Sequence, residues 1–365
     1  MNYSCPSTDI DIQVFPASYL LARKHFQHKV EKLTLPTQTA SYSCPGTTPD
    51  GEALTTDTVW IGDSDASKVV VLISATHGIE GFAGSAIEID FLNLLGSGQI
   101  SLPQNTAVLL IHALTPWGYA WHRRCDEDGV DINRNLLDFS RPLPENIGYD
   151  LLRPTFFWAD AQQRKKVCAE FAQQHGREAL EKAISAGQYN DPSGPFYGGK
   201  VPAHGRLVTE QLMREYNLQD RDLAVIDLHT GLGSYGYGEI ICDHQPDSAG
   251  TRVAHAWYGD SVTLPLLGTS SSVPKTGLLD YAWHAIMSER SCYITLEFGT
   301  FSTDQLFEVL LRDHQIWAHE TDLPTRLAQA KSMRHHFCPN DQAWQEMVLF
   351  RARQVISQAI HGVSS

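Results

Sequence analysis

The chain has 365 residues, 42% of them hydrophobic and 19% charged, with a formal net charge of −14. That length and apolar content suit one large α/β domain or two smaller ones and exclude intrinsic disorder. The acidic balance, with no face on which Lys and Arg cluster, excludes a nucleic-acid-binding surface, and no apolar run reaches the roughly 18 residues of a membrane span.

Residues 1–7 carry neither the basic segment nor the apolar segment of a secretory leader. The seven cysteines (5, 44, 125, 168, 242, 292 and 338) are scattered and form no Cys-x-x-Cys pair, which argues against a disulfide framework and a Cys-rich zinc module. Both features point to a reduced, cytoplasmic protein. Residues 10–32 follow a helical pattern around Tyr19, Leu20, Leu21 and Phe26. The polar stretch from Pro36 to Asp57 has room for short strands, and Thr58 to Gly62 reads as the clearest of them. Val69 to Ser74 is a β-branched run without alternation, the mark of a strand buried on both faces. Glycines 78 and 81 break it, and Ala83 to Leu95 reads as a helix.

Similar runs follow at 107–112, 223–228 and 292–296, with helical patterns at 159–186, 205–216, 303–319 and 341–360. The basic triplet Arg164-Lys165-Lys166 reads as a solvated helix face. Alternation of short strands with helices predicts an α/β fold whose mixed, mainly parallel twisted sheet is flanked by helices on both faces. One domain over 1–365 is expected, with a helical and loop insertion near 141–205 and a C-terminal helix near 341–360.

His77, His229 and Glu297 each stand at or just past the C-terminal end of an apolar run, the edge where open α/β sheets gather ligands. A catalytic zinc takes three ligands from His and carboxylate and leaves a position for water, and His77-Gly78-Ile79-Glu80 lets two side chains converge on one ion. Alone, that spacing equally describes a strand-end His and a Glu favoured by a helix dipole. Asp227-Leu228-His229 offers the third ligand and an acid to orient it, although strand alternation leaves their direct contact open; a satisfied core histidine is the plain alternative. Between them, Arg123 to Asn135 crowds Arg, Asp and Asn into one turn, able to hold a carboxylate or to be a polar surface loop. Glu297 enters an apolar setting that raises a carboxyl pKa, as a general base needs, unless a salt bridge explains it.

The ordered set of His77, Glu80, Arg124, Gly129-Val130-Asp131-Ile132-Asn133-Arg134-Asn135, His229 and Glu297 resembles the zinc carboxypeptidase superfamily, nearest its bacterial carboxypeptidase-like branch. The resemblance runs from about residue 58 to 320. It implies one zinc ion on His77, Glu80 and His229, with Glu297 taking the proton of the attacking water and passing it to the leaving amine. Arg124 matches the oxyanion-stabilising arginine, and Asn133 with Arg134 match the pair that grips a free carboxylate. Tyr197 and Tyr281 are candidates for the mobile tyrosine of the digestive enzymes. The implied activity is hydrolysis of an amide bond beside a terminal carboxylate in a short peptide, for instance a cell-wall-derived one. An N-acyl amino acid deacylase is the alternative, and a non-catalytic binding protein on the same scaffold a third class. Three departures from the branch pattern stand out: Thr115 for Asn, Asp126 for Asn, and Leu136 for an aromatic residue. Asp126 adds an acid near the carboxylate-binding pair.

Other candidates carry less. His335-His336-Phe337-Cys338 has no partners completing a metal set and reads as a surface turn, and His25 and His28 read as solvated. Leu232 to Gly236 lacks the first glycine of a serine-hydrolase elbow, and Lys275-Thr276 lacks the glycine-rich phosphate loop.

Overall fold

Four strands at the centre of the sheet are built from the β-branched and apolar runs: β3 (Lys68–Ile73), β4 (Thr106–His112), β5 (Asp222–Gly231) and β8 (Cys292–Gly299). The computed structural model describes residues 9–157, 160–319 and 322–365, so the start at 1–7, Cys5 and the first position of the 159–186 pattern lie outside it. The central strands are parallel neighbours in the order β4-β3-β5-β8. Antiparallel strands flank them. The hairpin β1 (Thr37–Thr47) and β2 (Ala53–Ile61) extends one side, while β6 (Gly238–Ile241) and the two-residue β7 (Val262–Thr263) extend the other. The sheet is thus mixed, with a parallel middle, as the sequence predicts. The polar Pro36–Asp57 stretch is more regular than expected, because β1 spans eleven residues as an exposed edge strand.

Strand alternation divides the core in two. Val70, Leu72, Ala224, Ile226, Ile294 and Leu296 face one layer, and Val69, Val71, Ile73, Leu223, Val225 and Tyr293 the other. The first layer is covered by α1 (Tyr19–Glu31), α2 (Gly81–Gly96), α8 (Ala249–Tyr258) and the last helix; the second receives the buried residues Val208, Leu212 and Trp283. The remaining helices are α3 (Pro116–Ala120), α4 (Ile147–Phe156), α5 (Ala161–His175), α6 (Arg177–Ser185), α7 (His204–Glu215), α9 (Asp280–His284), α10 (Thr303–Ala318), α11 (Leu323–Phe337) and α12 (Gln342–Ser364). Gly176, at φ 94°, splits the expected 159–186 helix into α5 and α6. No helix among the described residues is long and apolar enough to cross a membrane.

Two expectations are corrected. His335 to Cys338 is no surface turn: it closes α11, and His336, Phe337 and Cys338 are buried. Within the basic triplet, Lys165 and Lys166 are solvated, but Arg164 turns inward to pair with Glu308 at 2.9 Å. His25 and His28 are exposed on α1, as expected.

From β3 the chain steps outward to β4, and from β5 it steps the opposite way to β8. The strand order therefore reverses between β3 and β5, and a crevice opens at their C-terminal ends. His77 and His229 stand on its two sides.

Candidate metal centre and its cleft

Local chemistry places the first two side chains. Ala75 and Ala113, just past β3 and β4, adopt left-handed φ values of 54° and 63°. Such a conformation costs a non-glycine residue about 1–2 kcal/mol. Backbone bonds from Leu114 to Ser74 and from Thr115 to Ala75 hold the two turns together. The next turn, His77 to Glu80, is clamped to the Arg123–Arg124 loop by bonds from Gly78 N to Arg124 O (3.0 Å) and Ile79 N to Arg123 O (2.8 Å). Only glycine fits at 78, because a Cβ there would lie 2.2 Å from the carbonyl carbon of Gly118.

Parallel pairing places the other two. His229 of β5 lies in register beside Glu297 of β8, and Asp227 beside Thr295. With the period of two, Asp227, His229, Thr295 and Glu297 share the sheet face of Tyr293.

These elements bring His77, Glu80 and His229 together as a buried group of metal-competent donors. Nδ1 of His77 lies 2.9 Å from Glu80 Oε1, Nδ1 of His229 lies 3.0 Å from Glu80 Oε2, and the two Nδ1 atoms are 3.1 Å apart. Around a tetrahedral ion with bonds near 2.1 Å, ligand atoms stand about 3.4 Å apart, so the donor set fits one divalent ion of the zinc class. The outer nitrogens are also engaged. His77 Nε2 faces Asp131 Oδ1 at 3.2 Å and Arg124 Nη2 at 2.7 Å. His229 Nε2 lies 2.7 Å from Asp227 Oδ2, a close buried ionic contact whose angle is outside hydrogen-bond geometry. The contact left open by the sequence is therefore made: residues two apart in a strand point the same way. Asp227 in turn accepts from Thr76 and Tyr293 hydroxyls, each at 2.7 Å.

The electrostatics favour positive charge at the centre of this group. Against its burial, His77 and His229 hold the Glu80 carboxylate below its ordinary range. Against burial, Asp227 and Glu80 raise the His229 imidazole well above its ordinary value. Burial and then the repulsion of Glu80 push the Glu297 carboxyl up to about 7. One of its oxygens accepts from Leu232 N at 2.9 Å.

A cleft open to solvent is lined by His77, Glu80, Arg124, Asn133, Arg134, His229 and Glu297. Arg124 donates to Asp131 (2.9 Å) and Glu80 (3.2 Å) besides its contact with His77. Three of the five guanidinium N–H groups are thus directed at neighbours and two are left over. Arg134 is fully buried, bonded to the carbonyls of Ser185 and Asn133, and pulled by burial down to about 10. Asn133 turns its side-chain oxygen to Leu279 N at 2.7 Å, which leaves its amide group for the cleft.

Tyr197 and Tyr281 are not among the lining residues. Tyr197 is buried in bridges to Val130 and Gln188, and Tyr281 is exposed, its hydroxyl donating to Lys275 O. The neighbour Phe196, at φ 55°, faces the cleft instead and stacks beneath Arg124 and Arg134, 5.1 and 5.4 Å from their guanidinium carbons. Asp126 also stays out of the cleft; it accepts from the backbone of Asp128 and Val130, closing its own turn. Sequence reasoning missed Asp131 as the partner of His77, although it sits inside the quoted Gly-Val-Asp motif. It also missed Phe196, Asp243, Lys275 and Asp280, of which Asp243 alone had a signal, as an acid just past a short apolar run.

A family described as protein of unknown function (DUF2817) matches residues 15–351. No curated protein matches the chain. Among solved structures, the chain is similar to the carboxypeptidase A of Helicoverpa armigera, with 14% identity over 90% of this chain and 75% of that one and a TM-score of 0.49. It is similar to bovine thrombin-activatable fibrinolysis inhibitor solved with tick carboxypeptidase inhibitor, at 11% identity, 95% and 99% coverage and a TM-score of 0.47. It is also similar to murein-tripeptide amidase of Escherichia coli O157, at 15% identity, 86% and 97% coverage and a TM-score of 0.36.

Proposed function

The chain belongs to the family described as protein of unknown function (DUF2817), and from its site we propose that it is a metal-dependent hydrolase cleaving an amide bond next to a free carboxylate. The carrying observation is that three metal donors, a raised-pKa carboxyl and two arginines line one cleft. A divalent ion held by Nδ1 of His77, Glu80 and Nδ1 of His229 would supply a lowered water pKa and a polarised carbonyl. With Nδ1 on the ion, His77 would carry its proton on Nε2 toward Asp131, so Arg124 Nη2 would have to turn from that nitrogen into the cleft, and Asp227 would hold His229 in the matching orientation.

Glu297, poised near neutrality by burial, takes one proton from the attacking water as its oxygen bonds to the amide carbon. It delivers that proton to the nitrogen as the C–N bond breaks, so the products are an acid and an amine. The N–H groups of Arg124 that are not bonded to Asp131 or Glu80 are the candidates to stabilise the oxyanion. Asn133 and Arg134, at the same cleft, would hold the substrate carboxylate.

The test is metal analysis of the purified protein together with hydrolysis of dipeptides and N-acyl amino acids. About one equivalent of divalent metal is expected in the wild type and close to none in His77→Ala. Turnover of acyl compounds alone would assign a deacylase. Lack of both retained metal and turnover in zinc-saturated protein would refute the proposal.

A further inference from the structure

Helix α6 joins two parts of the molecule that stand on opposite sides of the cleft. At its C-terminal end, Ser185 O accepts from Nε and Nη2 of Arg134, at 3.0 and 2.6 Å. At its first residue, Arg177 Nη2 reaches Asp304 Oδ1 at 2.7 Å, in the first turn of α10, and Arg177 Nε donates to Glu181 at 2.9 Å. That helix begins four residues after β8, the strand carrying Glu297, and its Thr303, Leu306 and Phe307 line the cleft. Glu181 and Ser185 line it from α6. The nine residues of α6 therefore lie as a bar between the carboxylate-binding pair and the helix beside the base.

The two ends of the bar are held differently. Toward the C-terminal end, Leu180, Ala183 and Ile184 are buried, and Gly148 of α4 comes so close that a Cβ on it would lie 2.7 Å from that of Ala183. The N-terminal end is held by charge. The Arg177 and Asp304 side chains are 48% and 70% exposed, so their pairing is weak and screened by salt. A second ion pair lies beneath it, where Arg164, the one buried residue of α5, meets Glu308 of α10 at 2.9 Å.

We propose that α6 limits the length of the substrate, and that Arg177, latched on Asp304, is the residue that sets this limit. A substrate held by its carboxylate at Asn133 and Arg134, with its amide beside Glu297, runs in the direction of the bar toward the latch. At about 1.5 Å per residue α6 is about 13 Å long. An extended chain advances about 3.5 Å per residue, so it meets the latch after about four residues. Compounds that end sooner fit beneath the closed bar, whereas longer ones need its N-terminal end to lift. The preferred substrates are therefore acylated amino acids and very short peptides, not long chains. This inference rests on the proposed hydrolase reading.

The test uses N-acetyl, N-acetyl-alanyl and N-acetyl-pentaalanyl derivatives of whichever amino acid leaves fastest in the panel above, assayed on the zinc-loaded full chain. The wild type is expected to use the pentaalanyl compound at least about tenfold less well in kcat/KM than the acetyl compound. Arg177→Ala and Asp304→Asn should each bring that ratio within about threefold while leaving the acetyl compound within about twofold of wild type. Raising salt from about 0.02 to 0.5 M, which shortens the screening length from roughly 20 to 4 Å, should move the wild-type ratio the same way without any substitution. Hydrogen exchange supplies a readout independent of turnover: the amides of residues 181–184 should exchange at least about threefold faster in Arg177→Ala. Equal use of short and long compounds by the wild type overturns the proposal, as does a ratio that neither substitution nor salt moves, or unchanged exchange in Arg177→Ala. Each of those results leaves the hydrolase standing, whereas absence of turnover across the whole panel strikes the underlying reading.

Discussion

Replacing Glu297 by Gln separates chemistry from stability in opposite directions. The carboxyl is 7% exposed, and its pKa is raised from 4.5 to about 7 by burial and by Glu80. Because the folded-state value lies above the unfolded one, the folded protein holds this proton more tightly. That stabilisation is complete below pH 4.5 and is lost as pH rises through 7. The difference corresponds to about 3 kcal/mol, since each tenfold change in proton affinity is worth about 1.4 kcal/mol. Glutamine carries no charge to bury and keeps an oxygen for Leu232 N. In chelator-treated protein, Glu297→Gln should therefore be more stable than wild type at pH 8 by up to about 3 kcal/mol, and the two should converge near pH 4. With metal restored, kcat should fall about 10²- to 10⁴-fold, the usual worth of a general base, equivalent to about 3–5 kcal/mol of barrier. Urea unfolding at the two pH values and steady-state kinetics with metal quantification read both effects. The wild-type kcat/KM should also rise with pH through the titration of this group. Retention of kcat within about tenfold, or a variant less stable at pH 8, would refute the reasoning.

Three further perturbations test the framework around the site. Asp227→Asn removes the buried negative charge 2.7 Å from His229 Nε2 and should weaken metal binding about 10- to 100-fold, read by chelator competition. Gly78→Ala forces a Cβ to 2.2 Å from the Gly118 backbone; the shift it imposes should cost about 1–3 kcal/mol in thermal unfolding and lower metal content, because His77 and Glu80 ride on that turn. Phe337→Ala empties a fully buried site against Gly231 at the end of β5 and should cost about 3–5 kcal/mol in urea unfolding.

Much of the fold is legible in the chain because its cause is local. A strand buried on both faces must be apolar throughout, so Val69–Ile73, Ala107–Ile111 and Leu223–Leu228 announce themselves. His229 and Glu297 stand out for the same reason, as polar residues where such runs end. Less visible are elements whose stability comes from distant partners. β1 is polar along most of its length and exists by pairing with β2, and α11 carries Arg326, Lys331 and Arg334 among its apolar positions yet seats Met333 and Phe337 in the core. Phe196 faces the cleft and Tyr197 does not, because a single left-handed residue sets which ring turns inward.

By itself, the sequence determined the four central strands, the turn at His77 to Glu80, and the chemical types that end each run, since these follow from periodicity and from the cost of burying charge. Tertiary structure alone decided that β5 and β8 pair in the register that sets His229 beside Glu297, that Asp131 reaches His77, and that Asp243, Lys275 and Asp280 share one cleft. Those contacts join residues with no common local period. Their convergence is set by strand order and loop path, which depend on how the whole core packs.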